Sequence, residues 1–147
     1  TAKLPNSIYS PKSKTPSGLS PLLAAIDKGD VESVRRILNK YRSKGNYIEQ
    51  INSEHDGRNP LIEAVRKGYS DKYVNIVKLL LRAGGDVNIE EEGSFGVNAL
   101  KISNDMVKQT VEDFEGGIKT ATKNAVEEIN NLLHEANQAN GVSESKE

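Results

Sequence analysis

The chain has 147 residues, of which 35% are apolar and 28% are charged, with no cysteine and a net charge of −1. Without cysteine it cannot form disulfides, thiolate metal sites or a cysteine nucleophile, and its longest apolar run, residues 76–81, is far shorter than the roughly 20 residues of a membrane-spanning helix. Residues 90–147 carry five bases and twelve acids. This excess of acids argues against binding to nucleic acid, which needs clustered Lys and Arg. The absence of cysteine favours an intracellular location, and we expect a cytoplasmic protein.

The first segment, residues 1–16, is rich in Lys, Ser and Pro and predicts a flexible leader. A five-residue pattern then recurs twice, and its glycines, Gly18, Gly57 and Gly96, are each 39 positions apart. A fixed interval of this kind indicates a repeat stack, in which each unit buries only the faces that touch its neighbours. We place the repeat domain at 17–136, with units at about 17–55, 56–94 and 95–136, followed by a polar tail at 137–147.

Each of the first two units opens with a short helix. The dipeptides Ser20-Pro21 and Asn59-Pro60 combine an N-cap side chain with a proline at the first helical position, where its missing N–H costs nothing. Helices of about two turns are unstable alone and must pack against neighbours. The predicted helices are Pro21–Lys28 and Pro60–Lys67, and each precedes a glycine, Gly29 or Gly68, in the position that favours a left-handed φ.

A second amphipathic helix follows in each of these units. Insertions around residues 41–47 and 69–73 lengthen the two units, and the segments 50–52 and 86–89 are predicted to be short extended links. The apolar faces of these helices, at spacings of three and four, are Val31, Val34, Ile37 and Leu38 in the first unit and Val74, Val77, Leu80 and Leu81 in the second, with Ile76 and Leu79 beside the latter.

The third unit departs from the other two after Asn98. Its long polar helical pattern carries a sparse apolar stripe, and Gly116-Gly117 predicts a kink or a break in it. We interpret the stripe as a helical cap that covers the last repeat, in a monomer. The alternative is a helix offered to a partner or to a second copy. The stripe comprises Val107, Val111, Phe114, Ile118, Ala121, Ala125, Ile129, Leu132, Leu133 and Ala136.

The second unit carries the most specific motifs. Residues 56–64, D-G-R-N-P-L-I-E-A, resemble the D-G-x-T-P-L-H-x-A opening of the ankyrin repeat, and residues 76–88, I-V-K-L-L-L-R-A-G-G-D-V-N, resemble its I-V-K-L-L-L-x-x-G-A-D-V-N close. Over residues 17–105 the chain is therefore similar to the ankyrin repeat family, whose unit is roughly 33 residues long. The resemblance implies an all-α helix-turn-helix solenoid of about three repeats with short β-turn fingers. The last repeat would be degenerate and act as a C-terminal helical cap.

Two departures from the family affect the first helices. The family's Thr is replaced by Ser20, Asn59 and Asn98, each still able to cap a helix. Its His is replaced by Leu23, Ile62 and Lys101, so the hydrogen bonds that this His makes between repeats are in question here.

No motif in the sequence predicts catalysis. The histidines, His55 and His134, do not have metal-ligand spacing and are expected at the surface or in a turn. Gly84-Gly85 and Gly116-Gly117 lack the pattern of a phosphate-binding loop. We therefore expect a protein that is not an enzyme and that uses no metal and no cofactor.

What the resemblance implies instead is a protein–protein interaction module that contacts its partner through the fingers and the first helices. Aligned finger positions are Leu19, Arg58, Phe95 and Val97, and the exposed first-helix positions include Glu63 and Lys101. Interface energy concentrates in aromatic residues and Arg. The predicted protein-binding residues are Asp27, Lys28, Arg58, Arg66, Lys67, Tyr69 and Phe95.

Two alternative functions remain open from the sequence. The chain could be a regulatory or targeting domain of a larger enzyme. It could also be an ankyrin-type effector of an intracellular bacterium, acting on host proteins in the host cytoplasm.

Overall fold

Seven helices make up the part of the chain that the structure describes. The computed structural model describes residues 20–45, 47–54, 58–90, 96–115, 117 and 119–145. The leader predicted at 1–16 lies outside these residues. The predicted all-α class is confirmed for them by the helices α1 (Pro21–Lys28), α2 (Val31–Ser43), α3 (Tyr47–Asn52), α4 (Pro60–Arg66), α5 (Asp71–Arg82), α6 (Ala99–Glu115) and α7 (Thr120–Ser145).

The helices pack as three stacked pairs. Within the pairs, α1 packs on α2, α4 on α5, and α6 on α7. Between pairs, α1, α4 and α6 follow one another in a first-helix row, while α2, α5 and α7 form a second-helix row. This arrangement confirms the expected helix-turn-helix stack, in which each pair shields the apolar faces of its neighbours.

Side-chain caps start the first helix of every pair. The side chains of Ser20, Asn59 and Asn98 accept hydrogen bonds from the backbone N–H three residues further on, at 3.2, 3.1 and 2.9 Å. A proline follows the cap in α1 and α4, as predicted, and Asn98 also forms an antiparallel bridge to Glu90 at the base of the predicted third finger. The recurring cap is therefore the local signal that sets the start of each unit.

The two glycines predicted to end helices in the left-handed conformation behave differently. Gly29 does so, with φ of 69°. Gly68 does not have a positive φ, so that prediction is wrong. A Cβ at residue 68 would lie 2.5 Å from Ile129 Cδ1 and 2.9 Å from the Val65 carbonyl oxygen. Glycine is needed at this position because α7 packs against the α4–α5 turn, and no side chain fits between them.

Gly68→Ala is expected to lower the free energy of unfolding by about 1–3 kcal/mol, because the added Cβ must displace a packed neighbour. Ile129→Val removes the Cδ1 atom, so the alanine should cost less in that background. Urea denaturation of the wild type, both single variants and the double variant measures this coupling. An equal cost of the alanine in both backgrounds would rule out the contact with Ile129.

Helix α3 corrects the prediction made for the first link. Residues 50–52 were expected to be extended, but they form the end of a helix that packs on α2 and α4. Ile51 is buried in the core, and the Asn52 amide donates to the Gly84 carbonyl at 3.0 Å and accepts from the Asp86 N–H at 2.8 Å. The link folds as part of a helix because this helix covers apolar surface and satisfies backbone groups beyond the end of α5.

The second predicted link is also not extended. Residues 87–88 form a turn, and the Val87 side chain within it is buried. The apolar residue in the turn reaches the core, which an extended exposed link would not allow.

The core lies between the two rows of helices. On the predicted faces, Val34, Leu38, Val74, Val77 and Leu80 are buried, while Val31, Ile37, Leu79 and Leu81 are partly buried. Ile76, which was placed beside the α5 face, is also fully buried. The first-helix positions where the family has His are apolar and buried in the first two units, so Leu23 and Ile62 replace hydrogen bonding there with packing.

Helix α7 packs against α5 and α6 at the end of the stack. Ala125, Ile129 and Leu133 of the predicted stripe are buried in the core, as expected of a cap. Val111, which belongs to the same stripe, is not buried, because 53% of its surface is exposed. The polar residues Ser103 and Thr110 of α6 are buried instead. The side chains of Phe114 and Ile118 lie outside the described part.

The helical break predicted at Gly116-Gly117 is present. Helix α6 ends at Glu115, Gly117 has φ of 108°, and α7 begins at Thr120. Helix α7 then continues to Ser145, through most of the segment that the sequence predicted as a polar tail.

Candidate protein-binding surface

A connected group of charges joins the first two units. The Arg58 Nη2 atom lies 2.7 Å from Asp27 Oδ1 and 2.9 Å from Glu63 Oε1. Asp27 lies in the last turn of α1, whereas Arg58 precedes α4 and Glu63 lies within it. The Arg58 guanidinium therefore bridges carboxylates from two consecutive repeats, and the side chains of all three residues are less than one-third exposed.

Two further cations lie at the edge of this network. Lys67 Nζ is 3.6 Å from Asp27 Oδ1, and Arg66 Nη1 is 3.5 Å from Glu63 Oε2. Both cations are more exposed than Arg58. Long, exposed ion pairs of this kind contribute little to stability because water screens them.

The network also changes the ionisation of its members. The hydrogen bond from Arg58 lowers the pKa of Asp27, opposed by the partial burial of that carboxyl. The same hydrogen bonds raise the pKa of Arg58 further above its ordinary range. Asp27 and Arg58 are therefore both charged at neutral pH.

Tyr73 fixes the backbone beside this network. Its hydroxyl donates to the Ile26 carbonyl at 2.8 Å, and burial raises the pKa of the phenol. Because Tyr73 lies in α5 and Ile26 in α1, this bond is a second link between the first two units. Sequence reasoning placed Tyr73 in an insertion and did not identify this role.

An exposed patch lies where α1 and α4 end. We call Lys28, Arg66, Lys67 and Tyr69 the helix-end patch. Lys28 and Lys67 occupy equivalent repeat positions, and 48% of Tyr69 is exposed. Cations are favoured at helix C-termini by the helix dipole, and an exposed Tyr beside Arg is a typical component of a protein interface.

The structure separates the predicted binding residues into two groups. Asp27 and Arg58 belong to the bridge between repeats, and Glu63, predicted on the exposed first-helix surface, is buried as their partner. The four residues of the helix-end patch lie at the surface or at its edge. Phe95, Leu19 and His55 lie outside the described residues.

Within the described ranges, no group of three or more His, Cys, Asp or Glu side chains could hold a metal ion. His134 is exposed, with Nε2 3.0 Å from Asn104 Oδ1. A hollow of about 570 Å³ beside α6 is lined by residues of that helix alone. No helix in the described ranges is both long enough and apolar enough to cross a lipid bilayer.

One comparison with known proteins is informative. A family model described as ankyrin repeats, in three copies, matches residues 3–91. This range is more than half of the chain; it includes α1 to α5 and ends before α6, so it begins and ends earlier than the three units predicted from the sequence. No curated protein and no solved structure matches the chain.

Proposed function

Because the chain belongs to the ankyrin repeat family, we propose that it is a non-catalytic module that binds a partner protein through its first-helix row. Ankyrin repeats generally mediate protein–protein interaction. The observation that supports this proposal most is the helix-end patch, which presents Lys28, Arg66, Lys67 and Tyr69 at the adjoining ends of two stacked helices.

The bridge beneath the patch gives it a fixed geometry. Arg58 connects α1 to α4 through two carboxylates, so the ends of these helices cannot separate without breaking charge-assisted hydrogen bonds. A surface held in one arrangement loses less conformational entropy when it binds, which favours affinity. Asp27 and Arg58 therefore support binding by positioning the patch.

The location, the oligomeric state and the catalytic role of the protein stay predictions. A cytoplasmic location, a monomeric state and the absence of enzymatic activity are part of the same proposal. The alternatives to this proposal are a regulatory or targeting domain of a larger enzyme and an ankyrin-type effector of an intracellular bacterium.

The proposal is tested by partner capture with the whole chain as bait. Lys28→Glu with Tyr69→Ala changes two exposed patch residues without touching the Arg58 bridge. We expect this double variant to lose the partners that the wild type captures, as measured by quantitative mass spectrometry, with an unchanged circular dichroism spectrum. Arg58→Glu is a poor choice, because it would place a third carboxylate beside Asp27 and Glu63.

The matched control is Lys44→Glu with Val111→Ala. It also reverses one exposed cation and truncates one exposed apolar side chain, but these lie after α2 and on α6. The control should capture the same partners as the wild type. If the patch variant and the control retain the same partners in the same amounts, the helix-end patch is not the binding surface.

A further inference from the structure

A second surface lies in the second-helix row, apart from the helix-end patch and the Arg58 bridge. A cavity of about 240 Å³ opens between α2 and α5, and we call it the α2–α5 groove. It is lined by Arg35, Leu38, Asn39, Arg42, Leu79 and Arg82. Three guanidinium groups and two leucines thus surround one hollow, and no carboxylate belongs to its lining.

The spacing of these residues explains why they converge. Arg35, Leu38 and Arg42 are three and four positions apart, which places them on one face of α2. Leu79 and Arg82 are three apart on α5, which packs against α2. Leu38 is almost fully buried and Leu79 partly, so the groove has an apolar base and a basic rim.

The charge of the stack is divided between its two ends. Helices α2 and α5 together carry seven bases and two acids, whereas α6 and α7 carry three bases and eight acids. The near-zero net charge of the chain therefore hides a strongly basic second-helix surface in the first two units. Such a surface attracts a negatively charged ligand.

Pairing with Glu32 leaves Arg35 accessible to a ligand. Glu32 pairs with Arg35 one turn away, but its side chain is 73% exposed, and exposed pairs of this type are weak and easily exchanged. The helix dipole explains cations in the last turn of a helix, where Arg42 and Arg82 lie. It does not explain Arg35, which lies nearer the middle of α2.

We propose that the α2–α5 groove binds an acidic peptide segment of a partner protein. Carboxylates of the peptide would pair with the guanidinium forks of Arg35 and Arg82, which suit planar two-oxygen acceptors. An apolar side chain between those carboxylates would contact Leu79. This inference rests on the proposed function, since it gives the interaction module a second contact surface.

Two observations favour a peptide over a nucleic acid. No aromatic side chain lines the groove, so it lacks the aromatic platform on which the bases of single-stranded nucleic acids usually stack. The acidic helices α6 and α7 flank the same stack and would repel a long polyanion, whereas a short acidic segment can avoid them. The size of the groove also fits a few side chains and not an extended backbone of phosphates.

The test uses the full chain and a library of random peptides displayed on phage. We expect enriched peptides to carry Asp or Glu next to Leu, Ile or Val. For the best synthetic peptide, fluorescence anisotropy should show Arg35→Glu with Arg82→Glu weakening binding by about tenfold or more, the loss expected for charge-assisted hydrogen bonds. Arg36→Glu with Lys40→Glu makes the same change of charge on α2 outside the groove, and it should weaken binding by no more than about twofold.

Each contrary outcome has a distinct meaning. Equal weakening by the two double variants, or enrichment of peptides without acids, would overturn the inference. Tighter binding of oligothymidylate or of phosphatidylserine vesicles, lost on Arg35→Glu with Arg82→Glu, would overturn it in favour of a polyanion. If binding of the enriched peptides required Lys28 and Tyr69 and did not require the arginines of the groove, this inference would be overturned and the proposed function would be supported.

Discussion

Leu80→Asp is expected to unfold the entire stack in a single transition and to lower the free energy of unfolding by about 4 kcal/mol or more. Leu80 has 0% exposure in α5, and α5 packs against α2, α4 and α7. The substitution removes buried apolar contacts and places a carboxylate within the apolar core. Since a domain of this size has only about 5–15 kcal/mol of stability, and each unit depends on its neighbours, losing α5 removes the support of both ends.

Two companion variants separate the contributions to this loss. Asn75→Asp adds the same carboxylate on the exposed face of α5 and should change stability by no more than about 0.5 kcal/mol. Leu80→Ala creates the cavity without the charge and should be intermediate. Urea unfolding followed by circular dichroism measures all three. A small change for Leu80→Asp, or two separate unfolding transitions, would contradict the central position of α5.

The elements that the sequence predicted well are those with a local cause. Ser20, Asn59 and Asn98 cap the first helix of each pair through a hydrogen bond within one turn, so the cap is visible in a few consecutive residues. The recurrence of these caps at a fixed interval then implied stacking, because helices this short require neighbours. The family match agrees with that inference.

The features that the sequence did not predict are determined by residues that are distant in the chain. The close approach at Gly68 involves Ile129, which lies on α7 and is far away in the sequence. Helix α3 is held by contacts between Asn52 and residues beyond α5, more than thirty positions away. Neither partner can be inferred from periodicity, since spacing patterns report only on the face that a helix buries.

The sequence predicted which residues lie near the candidate surface, but it did not predict which of them form ion pairs with each other. Alignment to the repeat placed Asp27 and Glu63 on the first helices and Arg58 in a finger, and the structure has Asp27 in α1, Glu63 in α4 and Arg58 just before α4. The alignment could not show that Arg58 bridges the other two, because opposite charges 31 positions apart carry no signature in one sequence. This distinction matters for mutagenesis, since a residue that binds a partner and a residue that holds the surface together both lose binding when they are changed.

Replacing Arg58 is the second substitution with a large expected effect. Arg58→Met keeps most of the side-chain stem and removes the guanidinium, leaving the Asp27 and Glu63 carboxylates facing each other. Breaking a fully buried pair costs about 3–5 kcal/mol, and the partial exposure of these side chains reduces the expected loss to about 2 kcal/mol. Arg66→Met is the matched control. Its ion pair with Glu63 is longer, at 3.5 Å, and its side chain is 41% exposed, so it should cost less than about 0.5 kcal/mol.

The pH dependence of this loss identifies the bridge as its cause. Arg58 lowers the pKa of Asp27 below its ordinary value of 3.8. A carboxyl whose pKa is lower in the folded state stabilises the fold above the unfolded-state pKa, and this stabilisation disappears as the pH falls through the folded-state value. The difference in unfolding free energy between the wild type and Arg58→Met should therefore be largest near neutral pH and shrink below pH 3.8. If the variant instead lost the same stability at every pH, the loss would come from packing of the side-chain stem, and the charge bridge between the repeats would not be what holds them together.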